Sequence, residues 1–457
     1  MAGNHSLLAH GGPLNKFTHI PDELLPTRDT FGAPAVRRRS WPAMLGPGAL
    51  IAVGYMDPGN WATALVGGSR YGYRLLAVIV LASLLAMLLQ WTAARVGVVT
   101  GRDLAQLCRE RSPRWAVIPF WLASEVAIVG CDVAEVVGSA VALQMLLHVP
   151  LWLGVLLAAL MTMAFFVVGR RGRRRLETAV AVLITLVIAC LVVQLALVRP
   201  DWAAAAHGLA PDPALLRDAG VLWLAAGIVG ATVMPHNLYL HSALVKHYAP
   251  AGSRMPALRL AVRQRTLARV LKAVGIDSVA SLTLAMLVNA ALLILAAAVF
   301  HAGPAGGVDD LAAAQRLLAP ALHARWPGVL FALALLCCGV NSMLTATLAG
   351  QAVMEGFLDL RMSCLRRALL TRALALGPAL LAVAAYGEHG SAPLLVASQV
   401  LLSLQLPLAM LPLLRFACDR ELMGAWRLDP VTGSLAWSGA LLLVTLNATL
   451  AWHWLAG

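Results

Sequence analysis

Two tetrapeptides carry the chemistry most legible in this sequence: Asp57-Pro58-Gly59-Asn60 and Met234-Pro235-His236-Asn237. Each interrupts an apolar run. Proline removes an amide donor and clashes with the preceding turn, and Gly59 relaxes the backbone further, so both helices should open and free carbonyl oxygens. At the first opening Asp57 adds a carboxylate and Asn60 an amide oxygen, hard ligands that suit a divalent cation. The second opening frees the Ala231 carbonyl and adds the thioether of Met234. Soft sulfur beside oxygen favours manganese, iron, cobalt or cadmium over calcium and magnesium. An aspartate in mid-membrane is costly, and that cost speaks for function over a simple kink. His236 has three readings: ligand, proton carrier or satisfied core histidine. Proton handling is favoured, because the other donors already make a metal site.

A second constellation is acidic. Glu125, Asp132 and Glu135 fall on one narrow helical stripe at ~100° per residue. Three carboxylates on one face of a membrane helix need partners, and Arg366, Arg367 and Arg372, with His236, are the available ones. The stripe reads as a proton route with staged carboxylate affinities, or alternatively as a static ion-pair network. Ser398-Gln399 is a polar pair in another apolar run, and Gln399 could reach the ion in one conformation. Thr232 and Asn289 are gating candidates, Asn289 also being open to the reading of plain helix glue. Glu355 reads as a structural partner of nearby arginines.

The elements that must position these residues are membrane helices. Of 457 residues 60% are hydrophobic and only 12% charged, too few charges to cover a soluble protein of this length. Apolar runs long enough for a ~30 Å hydrocarbon layer recur down the chain, and no barrel-type alternation is present. Eleven spans are expected, at about 44–68, 74–98, 116–146, 150–169, 177–198, 220–247, 274–300, 327–358, 366–386, 391–414 and 434–455. Residues 1–40 read as a loose cytoplasmic tail, and 41–457 as a single transmembrane domain. The net charge of +13 sits in the short links, not on one helix, which excludes a nucleic-acid partner. With the amino terminus inside, the basic residues crowd the cytoplasmic links, and eleven spans leave the carboxyl terminus outside. The seven cysteines lie in or beside apolar runs without metal or disulfide spacing. Spans 1 and 6 share the interruption and lie five spans apart, so they enter from opposite sides. Matching broken helices in inverted repeats point to a transport site near the midplane.

The paired motifs, with Gly350-Gln351-Ala352-Val353-Met354-Glu355-Gly356, resemble the Nramp divalent metal transporters over roughly residues 42–455. The resemblance implies an all-α, LeuT-like fold with two inverted five-helix repeats, spans 1–5 and 6–10, about 44–198 and 220–414, and an extra helix. It implies proton-coupled import of manganese(II) or iron(II) across the cell (inner) membrane by a monomer, with no permanently bound cofactor. Asp57, Asn60, Met234, the carbonyl of Ala231 and Gln399 would hold the metal. His236, Glu125, Asp132, Glu135 and one or both of Arg366 and Arg367 would carry protons, with Asp57 the first acceptor. Two positions depart from the family: its outer-gate Asn and Thr align with Ser83 and Cys131. The competing reading is a sodium-coupled carrier of a small organic solute on the same fold. A membrane metalloenzyme is disfavoured, since His236 and His241 are five apart and no His-Glu-x-x-His occurs.

Overall fold

The computed structural model describes residues 46–169, 173–212, 217–248, 257–301, 308, 310–321, 324, 326–360, 362–386 and 391–456. The expected tail, 1–40, lies outside them. Every element among the described residues is helical. Helices stand where the spans are expected, and among the described residues eight stretches are long and apolar enough to cross a membrane, Pro58–Thr100 covering two of those spans in one. Large apolar side chains such as Leu160, Leu381, Leu435 and Leu441 are exposed on the outer faces. In water such a surface would aggregate; against lipid it is matched.

The first span is two helices, α1 (Pro47–Gly54) and α2 (Pro58–Tyr71). After α3 (Leu76–Thr100) come α4 (Leu104–Arg111), α5 (Arg114–Leu147), α6 (Leu151–Gly169), α7 (Arg173–Val198) and the short α8 (Trp202–His207). The sixth span is again split, into α9 (Ala219–Val233) and α10 (Pro235–Val245). It is followed by α11 (Ala257–Ala296), α12 (Leu311–Ala321), α13 (Trp326–Leu358), α14 (Cys364–Tyr386), α15 (Ser391–Cys418), α16 (Arg420–Met423) and α17 (Pro430–Ala456). Three differences from the sequence reading stand out. Helix α11 begins well before residue 274, because its basic amino-terminal part continues the helix past the apolar segment. Helix α4 occupies a link for which no helix was expected, and a capping box between Asp103 and Gln106 starts it. Helices α8 and α12 fold within the links after the fifth and seventh spans.

Packing encloses the two broken spans. Helix α1 lies against α10, α11 and α13; α2 against α5, α9, α11 and α15; α9 against α3 and α15. Small residues permit the close approaches. A Cβ on Gly54 would stand 2.6 Å from the Asn237 amide nitrogen, and one on Gly138 2.1 Å from the Pro58 Cβ.

Candidate functional site

The two breaks differ in build. Helix α1 stops at Gly54, and the amides of Tyr55 and Met56 turn back to the carbonyls of Ala52 and Val53 at 3.1 and 3.2 Å. Asp57 then caps α2: its Oδ1 accepts from the Asn60 amide at 3.0 Å and its Oδ2 from the Gly59 amide at 3.2 Å. A carboxylate at a helix amino terminus meets unsatisfied amides and the positive end of the dipole, which is what holds it there. The second break is a single residue, Met234, at φ 18° and ψ 100°, and no side chain caps α10.

The breaks meet. Asn60 Nδ2 donates to Asp57 Oδ1 at 2.6 Å and to the Ala231 carbonyl at 3.0 Å. That carbonyl is available because its normal partner, four residues on, is Pro235, which has no N–H. Asn289 of α11 donates to Asn60 Oδ1 at 3.2 Å and to the Tyr55 carbonyl at 3.0 Å. From α15, Gln399 brings Nε2 to 3.4 Å from Asp57 Oδ2. Its Oε1 is buried and accepts no hydrogen bond. Asp57 and Gln399 are 0% exposed and Asn60 3%, so the cluster is shut off from both sides. Met234 is also buried, in a small cluster with Ala127, Cys131, Ala346 and Leu402, and its sulfur accepts from Asn237 Nδ2 at 3.4 Å. Among the described residues no group of three or more His, Cys, Asp or Glu gathers as a metal site. The donor set here is of another kind: one carboxylate, two amides, a carbonyl and a neighbouring thioether.

The acidic stripe faces α14. Glu125 pairs with Arg367 and accepts from Trp121 Nε1 at 3.1 Å. Arg372 places Nη1 3.0 Å from Asp132 Oδ1 and Nη2 3.4 Å from Glu135 Oε2. Neither Asp132 oxygen has an aligned donor, so that contact is an ion pair without a hydrogen bond. Cys131 Sγ stands 3.7 Å from Glu135 Oε1. Arg366 requires a correction: it is exposed on α14, and the second arginine of the stripe is Arg372. The reason is helical phase, since the buried face of α14 runs through Arg367, Ala368, Thr371, Arg372 and Ala375.

His236 is buried, and its Nδ1 has no hydrogen-bond partner; the same holds for the hydroxyls of Thr232 and Ser83. The structure therefore joins Asn289 to the centre and leaves Thr232 beside it without a bond. Glu355 accepts from Gln351 Nε2 at 2.8 Å. One polar chain escaped the sequence reading. Gln90 Nε2 donates to the Tyr55 hydroxyl at 2.7 Å, Gln90 Oε1 lies 2.9 Å from His241 Nδ1, and His241 Nε2 lies 3.4 Å from Ser278 Oγ. Below it Asp277 accepts from the Gly48 amide at 2.7 Å, so α1 is tied to its neighbours at both ends. Four elements meet in that chain, and no local spacing announces it.

Residues 48–453 match the family model of the natural resistance-associated macrophage protein-like (Nramp) proteins. The divalent metal cation transporter MntH of Xanthomonas campestris pv. campestris is 48% identical over 91% of each chain. The protein of the same name from Ralstonia nicotianae is 49% identical, covering 90% of this chain and 91% of its own. A crystal structure of a mutant Eremococcus coleocola manganese transporter superposes with a TM-score of 0.81 at 35% identity, covering 94% of this chain and 90% of that one. MhsT in complex with L-phenylalanine has the same fold at 16% identity, with a TM-score of 0.58 over 88% of this chain and 98% of its own. The expected LeuT-like architecture, with discontinuous first and sixth spans, is the one found, and this multi-pass membrane protein belongs to the Nramp family.

Proposed function

We propose that this protein imports divalent transition-metal cations, manganese(II) first among them, by alternating access, with protons moving in the same direction. One observation carries the reading: Asn60 Nδ2 bridges the Asp57 carboxylate and the freed Ala231 carbonyl, where the two half-helix pairs meet. Two oxygen acceptors share the positive end of one amide, an arrangement that a cation satisfies better. Turning the Asn60 amide presents Oδ1 in place of Nδ2, and amide orientation follows the surrounding hydrogen bonds. That turn requires Asn289 to release Oδ1, which links occupancy to a residue of α11. The unbonded Gln399 Oε1 supplies a further oxygen, and Met234 the soft donor that disfavours calcium and magnesium.

Proton coupling draws on chemistry close by. A metal arriving at Asp57 displaces its proton. His236, with an unbonded ring nitrogen, and the Asp132–Arg372–Glu135 group offer that proton a path, continued by Glu125 and Arg367. The protein works as a monomer in the cell (inner) membrane, with its amino terminus in the cytoplasm, its carboxyl terminus outside and no resident cofactor. The names and high identity of the relatives support the cargo, as does the donor set. The sodium-coupled organic carrier is disfavoured by Asp57, whose carboxylate occupies the helix amino terminus that an anionic substrate would need.

The test is uptake of manganese, iron, cadmium, magnesium and calcium into proteoliposomes with internal pH recorded. Manganese entry with acidification, unaffected by replacing sodium with choline, is expected. Sodium dependence, or manganese entry without a pH change, would overturn the proton-coupled reading.

A further inference from the structure

We propose that Gly59 and Gly230 form a slot that seats Gln399 against Asp57, which makes both glycines positioning residues for the cation site. The inference rests on the metal-carrying reading above and assigns the residues that set the site's fourth wall. Gln399 enters from α15 between two half-helices. On one side lies Gly59 of α2: a Cβ there would stand 1.9 Å from Gln399 Nε2, 2.3 Å from its Cδ and 2.7 Å from its Cγ. All three nearest atoms belong to that one side chain. On the other side lies Gly230 of α9, where a Cβ would stand 1.8 Å from the Gln399 carbonyl oxygen and 2.8 Å from the Ser403 amide nitrogen. The slot thus grips the amide of Gln399 through Gly59 and its peptide through Gly230.

The two walls differ physically. The clash at Gly59 is with the far end of a flexible side chain, so an alanine there swings the Gln399 amide away from Asp57 and leaves α15 in place. The clash at Gly230 is with helix backbone, which has no rotamer to yield, so an alanine there moves α15 itself. At Gly227, one turn earlier on the same face, a Cβ would meet Val396 and Val400 side chains at an ordinary 3.5 and 3.7 Å and the Thr63 methyl at a tight 3.2 Å that a small side-chain shift relieves. It serves as the matched control.

The experiment is a double-mutant comparison of manganese uptake by the full chain in proteoliposomes, with folded yield recorded for each variant. Gln399→Ala is expected to raise KM about tenfold, the scale of one hydrogen bond or ligand contact to a charged group. Gly59→Ala should do the same, and Gly59→Ala with Gln399→Ala should be no worse than Gln399→Ala alone. Gly230→Ala should lower transport in both backgrounds, and Gly227→Ala should stay within about twofold of the parent. If Gly59→Ala lowers folded yield, Gln399→Ala must restore it. Additive KM effects of Gly59→Ala and Gln399→Ala, or no restoration of yield, overturn the slot. Asp57→Ala is run alongside: normal manganese uptake by that variant sinks the metal site itself, whereas its loss combined with additive glycine effects sinks only the slot.

Discussion

The two helix breaks are built from the same device, a proline in mid-helix, yet they hold together by different means. The first carries its own stabiliser, since Asp57 caps α2 through the Gly59 and Asn60 amides. The second has none on α10; its freed Ala231 carbonyl is satisfied from across the gap by Asn60. The first break would persist with or without its partner, whereas the second depends on the first. The anion therefore sits where a helix end favours it, and the neutral carbonyl and thioether face it from the dependent side.

Charge separates the two breaks most strongly. Asp57→Asn keeps an acceptor at the cap but removes the carboxylate, and manganese uptake should fall at least ~100-fold as a charged metal ligand is lost. Expression and folding, followed by size-exclusion elution, should hardly change. Replacing the prolines has the next largest effect. Pro235→Ala returns an amide donor to the Ala231 carbonyl and lets α9 run into α10, a change of about 3 kcal/mol in favour of continuous helix. Thermal stability should rise while uptake drops about tenfold or more. Pro58→Ala leaves the Asp57 cap intact, so its loss should be the smaller of the two. Equal losses would mean the breaks are not asymmetric.

Met234→Ala removes the soft donor of the dependent side. Competition uptake should show the preference for manganese over calcium reduced about tenfold, the scale of one specificity contact. Manganese uptake itself should fall less. The smallest effect belongs to Asn289→Ala, which deletes hydrogen bonds to the Tyr55 carbonyl and Asn60 Oδ1. Metal entry must break the Asn60 bond, so KM for manganese should fall about fivefold, the scale of one neutral hydrogen bond.

Much of this centre could be read in the sequence because its causes are local. Pro58 and Pro235 dictate breaks wherever they fall in an apolar helix, and Glu125, Asp132 and Glu135 share a face through periodicity alone. What escaped was set by phase or by distance along the chain. Arg366 and Arg372 both read as partners of the acids, and what the reading lacked was that of these two only Arg372 lies on the buried face of α14. The signal was present in Ala368, Thr371, Ala375 and Ala379, small residues at helical spacing that mark the packed side. The start of α4 was equally available, since Asp103 and Gln106 are a capping pair. The chain from Tyr55 through Gln90 and His241 to Ser278 joins four helices, and only the packed bundle brings it together.

The proposed function has the two breaks form one divalent-cation site organised by Asp57. Titration calorimetry of manganese into the purified full-length protein, run beside Asp57→Ala, decides it. A single site in the parent and no measurable binding in the variant is the predicted result. Manganese binding of equal affinity and stoichiometry in both would contradict it.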